Sequence, residues 1–183
     1  GYLHLRGGPF GLRLIPGESA AFAVADHQLA HVYVNKNSEK ERVRRLLLDQ
    51  PGIAAVVDPA ELNLDHGRSG ELVALAETDS WFTYYFWDDD REAPDFARCV
   101  DIHRKPGYDP CEMLLDPSIR FPKLKVAGKL LQKKVGQRYR MDVIPLSPEL
   151  IRGSHGRMPK TAASGPVFLS TLPFGPGNPA PEG

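Results

Sequence analysis

Cysteine is almost missing: Cys99 and Cys111 are the only two in 183 residues. Their spacing is not that of a zinc ribbon, and a disulfide between them has nothing to recommend it. Reduced thiols and a cytoplasmic setting are therefore the expectation. Net charge is missing too. Lys and Arg number 23, Asp and Glu 23, and the pI is near 7.2, which excludes a global field steering the molecule to nucleic acid or membrane. No apolar run approaches the length of a membrane span. The opening Gly1 to Arg6 has neither a basic leader nor an apolar signal core. It also lacks an initiator methionine, so the expectation is a chain cut from something longer.

What is present suffices for one domain. Hydrophobic residues make up 42% of the chain, enough to bury a core. Glycine and proline, 17 of each, gather at the two ends. Residues 173–183 hold almost nothing apolar to bury and are expected to form a flexible Pro/Gly tail, with the domain spanning 1–172.

Between these ends, Ala20 to Val24 and Leu29 to Val34 have strand composition and are separated by Asp26-His27, which supplies turn chemistry. Ser38 with Glu41 suggests a capping box. Val43, Leu46 and Leu47 then follow at helical spacing until Pro51-Gly52. Ile53 to Val57, Leu72 to Ala76, Trp81 to Trp87, Val143 to Leu146 and Val167 to Leu169 read as further strands. Arg120 to Arg140 carries a partial helical stripe of Leu124, Leu130, Leu131 and Val135. The expectation is α/β or α+β, with a mixed sheet and flanking helices.

One element changes the functional weighting. Gly153-Ser154-His155-Gly156 places an imidazole between glycines, which permit a sharp turn and an open approach to a cation. It resembles the Gly-x-His-Gly element of the type I phosphodiesterases and nucleotide pyrophosphatases of the alkaline phosphatase superfamily. Arg68 to Val73, Ala25 to Val34, Asp79 to Tyr84 and Val100 to Pro110 resemble segments of the same family. The resemblance implies the C-terminal portion of an alkaline-phosphatase-like fold, with His155 as one metal ligand. It also implies two zinc ions in the intact parent, which activate a threonine or serine and clamp a phosphoryl group during in-line displacement. The bond cleaved would be a phosphodiester or phosphoanhydride, in a phosphate-ester substrate. In that family the nucleophile and most ligands, including an Asp-His pair after a buried strand, belong to an N-terminal half. That half is the expected missing partner. One histidine cannot hold zinc, so neither bound zinc nor activity is expected of this fragment.

Other candidates weigh less. Asp65-His66-Gly67 spells the family's Asp-His-Gly pair, but its lead-in is half polar and a loop is expected. His27 and His31 are four apart, which would suit a zinc-binding helix; a turn followed by a strand keeps them too far apart to share an ion. Asp101, His103, Asp109 and Cys111 crowd a proline-punctuated loop, with Arg104 and Lys105 among them, that is read as structural. A self-contained hydrolase built from Asp65, His66, His155 and the Asp101 loop is the weakest alternative. The acid-free basic stretch Arg120 to Arg140 offers another reading, an independent polyanion-binding module. Phe121 and Tyr139 are too few to stack bases, so nucleic acid is not an expected partner. The aromatic run Trp81 to Trp87 predicts core packing and, where a face is left open, self-association into a homo-oligomer.

Overall fold

Alternation along one strand sets the architecture. The computed structural model describes residues 1–100, 110–151, 154–167, 169 and 171. In β4 (Leu29–Val34), Ala30, Val32 and Val34 are buried and the residues between them are half-exposed, the period of two that a one-sided strand requires. β3 (Ala21–Asp26) forms a hairpin with it, pairing Asp26 with Leu29 across the two-residue loop His27-Gln28. Helix α1 (Lys40–Leu48) then carries the chain to β5 (Ile53–Val57). β6 (Leu72–Ala76) returns between β4 and β5, giving the order β3-β4-β6-β5. Leu72, Val73, Ala74 and Ala76 are each at most 1% exposed, as expected of a central strand covered on both faces. A small ribbon, β1 (Leu5–Arg6) with β2 (Arg13–Leu14), precedes this sheet.

The fold is α+β. Every strand pairing among the described residues is antiparallel, where a mixed sheet was expected. The physical reason is the β5–β6 link, a loop with no crossover helix, so β6 can only return antiparallel.

α1 packs through Val43, which is 4% exposed, with Leu47 partly buried against the core. The capping box expected at Ser38 and Glu41 does not form. A 3₁₀ turn at Asn37–Glu39 comes first, and the helix starts at Lys40 without a side-chain cap. The box occurs instead at Asp58, whose backbone N–H donates to Glu61 at 2.8 Å. Asp58 also accepts from Arg44 at 3.0 Å, while Arg44 donates to the Val56 carbonyl at 2.8 Å. These bonds tie the helix to the end of β5.

Three expected strands do not appear among the described residues. Residues 81–87 form no ladder. Phe82 N–H donates to the His27 carbonyl at 2.7 Å, and the Tyr84 hydroxyl donates to the Ala25 carbonyl. This segment straps the hairpin, and Phe82 and Tyr84 pack on the core. Val143, Ile144 and Leu146 are buried as expected, yet pairing is limited to one bridge, Cys99 with Asp142. Val167 and Leu169 are exposed and outside any strand, and Phe168 lies outside the described residues. The tail from 173 lies outside them too. Cys99 and Cys111 are buried and not bridged to each other. Among the described residues, no helix is long and apolar enough to cross a membrane.

Candidate metal centre

β3 delivers its last residue, Asp26, to the tip of the hairpin, and two residues must then reverse the chain. His27 does so at φ 57°, the left-handed region that histidine enters more readily than most side chains. The tip is held from several directions. Gln28 N–H donates to the His155 carbonyl at 2.7 Å, and Ala76 N–H donates to the Gln28 carbonyl at 2.9 Å. The Gln28 side-chain amide donates to the Ser80 carbonyl at 2.9 Å.

Residues 154–157 lie across this tip. Gly156 has φ 103°, and a Cβ there would stand 2.6 Å from the Asp26 carbonyl oxygen. Only glycine permits so close an approach. Next to it, Arg157 reaches the Ala76 carbonyl at 2.6 Å. The segment is thereby clamped to both β3–β4 and the end of β6.

The clamp stacks two imidazoles. The rings of His27 and His155 are 3.8 Å apart between centroids and 27° from parallel. His27 is 5% exposed and hydrogen-bonded through Nδ1 to Ser154 Oγ at 2.8 Å. His155 and Asp26 are open, with 65% and 66% of their side chains exposed, and His155 Nδ1 lies 4.0 Å from Asp26 Oδ1. One ligand atom each from Asp26, His27 and His155 falls within 4.8 Å of the others. Donors around a tetrahedral zinc sit about 3.4 Å apart, from bond lengths of about 2.1 Å. Closing that difference requires the stacked His27 and His155 rings to turn until their in-plane lone pairs converge. Two imidazoles and a carboxylate with an open side is a donor set suited to a divalent metal that keeps a position for water or substrate.

His155 is therefore open to solvent at the hairpin tip, stacked on His27 and not packed among aliphatic side chains. Asp65 and His66 are exposed in the loop expected for them, where His66 Nδ1 accepts from the Arg68 N–H at 3.2 Å. The Tyr33 hydroxyl donates to the Arg68 carbonyl at 2.9 Å, which places that loop at the opposite end of β4 from His27. Asp65 and His66 thus cannot join His155, and the self-contained hydrolase built on them does not assemble. His31 is a hydrogen-bonded strand residue as expected, accepting from the Gly70 N–H at 3.3 Å. Asp101, His103, Arg104, Lys105 and Asp109 lie outside the described residues. Cys111 is buried, its Sγ donating to the Ser147 carbonyl at 3.6 Å.

Sequence reasoning missed Asp26 and His27 as partners of His155. They were legible as turn chemistry, which they also are. The overlooked signal was the small apolar strand Ala21 to Ala25 running straight into an Asp-His pair.

A family model described as Type I phosphodiesterase / nucleotide pyrophosphatase matches residues 2–109. That span includes Asp26 and His27 and stops short of His155. No curated protein and no solved structure matches the chain.

Proposed function

Because the chain belongs to the type I phosphodiesterase/nucleotide pyrophosphatase family, we propose that Asp26, His27 and His155 hold one divalent ion, zinc by donor type, of a centre that hydrolyses phosphodiester or phosphoanhydride bonds. The family's Asp-His pair after a strand is then Asp26-His27, and Asp65-His66 is a coincidence of spelling. The observation that carries this reading is the convergence of the three donors, with His27 bonded to Ser154 across 127 residues of sequence.

When bound, the ion supplies Lewis-acid stabilisation of negative charge developing on the phosphoryl oxygens. The chain's own residues do the positioning. Ser154 orients the His27 ring through Nδ1, so ligation falls to Nε2, the usual division between inner and outer contacts at a metal-bound histidine. The Gly156 clamp fixes His155 over that ring. Asp26 and His155 face solvent, leaving a side for substrate.

Among the described residues these three donors serve one ion, and we assign the second ion and the nucleophile to other polypeptide. The outer edge of β3 favours the same conclusion. Among the described residues β3 has only β4 as a neighbour, Ala23 is exposed, and an apolar groove of about 720 Å³ runs beside it, lined by Phe22, Val24, Tyr84, Trp87 and Phe96 among others. A strand pairing along that edge would end beside Asp26, where further donors are required.

Cobalt(II) or zinc titration of the 183-residue chain tests the site. One ion should bind per chain with micromolar affinity, and His155→Ala or Asp26→Asn should each weaken it at least about tenfold. Equal affinity in the variants and the wild type would refute the assignment. A nitrophenyl phosphodiester should be hydrolysed only when the remaining donors are supplied on a longer chain.

A further inference from the structure

α2 (Pro122–Lys134) is inside out. Its ion pairs with the body are made by lysines, beside a half-buried Val126: Lys125 and Lys129, one turn apart, pair with the Asp142 carboxylate at 3.1 and 2.7 Å. Turned about 100–180° away from those lysines, at 100° per residue, lie Leu124, Ala127 and Leu131, with Val135 just past the helix end. The three large residues among these are 71%, 61% and 62% exposed. Phe121 at the N-terminal end and Leu130 on the flank are also more than half exposed. Helices in water-soluble folds turn such a stripe toward a core, so this one is shaped for something else.

The charges beside it say what. Residues 117–141 contain no Asp or Glu. Arg120, Lys123, Lys133, Lys134 and Arg138 are all exposed, and none pairs with a carboxylate among the described residues. Lys123 and Lys134 flank the leucine stripe on the outward side, where long aliphatic stems can lie along apolar surface and carry the ammonium outward. A second copy of the chain would bring five like charges against five. Nucleic acid would meet leucines where it needs cations and aromatic platforms. An anionic lipid surface meets both demands, taking the aliphatic stripe at the acyl boundary and the cations among its headgroups.

We propose that α2 is an interfacial anchor that lays the Leu124–Leu131–Val135 stripe on an anionic membrane surface. The role is separate from the metal site and survives the failure of that assignment. The test is co-sedimentation of the 183-residue chain with phosphatidylcholine vesicles, with and without phosphatidylserine, over a salt series. The chain should bind the anionic vesicles at least about tenfold more tightly, and less as salt rises. Two double variants at exposed positions, Leu124→Ser with Leu131→Ser and Lys123→Glu with Lys134→Glu, should each lose about tenfold or more while retaining wild-type circular dichroism. Binding lost only in the lysine pair, with duplex DNA bound equally well, would overturn the proposal in favour of a plain polyanion surface. No vesicle binding would also overturn it, as would a solution dimer that the leucine variant dissolves.

Discussion

Replacing Gly156 with alanine separates the proposed metal site from the fold more cleanly than removing a proposed ligand does. Its backbone sits at φ 103°, which costs a residue with a Cβ about 1–2 kcal/mol. The new methyl would stand 2.6 Å from the Asp26 carbonyl oxygen, 3.2 Å from Leu29 N and 3.3 Å from Gln28 N. An ordinary carbon–oxygen contact is about 3.3 Å, so the segment must lift by about 0.7 Å from a hairpin that cannot yield. Lifting it breaks the bond from Gln28 N–H to the His155 carbonyl, worth about 1 kcal/mol. Together these effects reach about 2–3 kcal/mol, or about 30- to 150-fold in metal affinity. The strain falls on the clamp and not on β4, β5 or β6, so the cooperative unfolding of the sheet should barely move. The assay is cobalt titration by visible absorption, run beside thermal unfolding, with His155→Ala as the reference. If Gly156→Ala binds cobalt as tightly as the wild type, the clamp does not position His155 and the reasoning is wrong.

Two predictions concern stability. Leu72, wholly buried in the central strand, should cost about 3 kcal/mol when replaced by alanine, seen as a lower denaturant midpoint with an unchanged slope. Acid should loosen α1 from the end of β5 and α2 from the Asp142 segment. Burial works against the charge on Asp142, but hydrogen bonds from Lys129 and Lys125 outweigh it and hold the carboxyl below its ordinary range. At Asp58 the hydrogen bond from Lys40 is the largest influence, opposed by burial and reinforced by Arg44, with the same downward result. A carboxylate whose folded-state pKa is depressed stabilises the fold above its unfolded value, and that contribution is lost as pH falls through the folded value. Helicity followed on acidification should therefore fall below about pH 4. In Asp142→Asn the α2 component of that change should vanish, and neutral stability should drop by about 1 kcal/mol. Acid titrations that superimpose for the two proteins would contradict this.

The sequence by itself determined the strands whose patterning is local. β4, β5 and β6 fall where alternation or a short apolar run put them, because side-chain period and β-branching act within a few residues. It also pointed to His155, which is open to solvent beside Gly156. Tertiary structure decided the rest. Trp81 to Trp87 has strand composition, yet its donors go to the His27 and Ala25 carbonyls at the hairpin, a partner that composition cannot reveal. The stripe of α2 was visible, but its outward direction depends on Asp142, which captures the two lysines on the other side. The proposed metal site is the clearest case. Asp26 and His27 have the composition of an ordinary strand end and hairpin loop, and His155 is far along the chain. Their meeting rests on a backbone approach, Gly156 against the Asp26 carbonyl, that no periodicity in the sequence encodes.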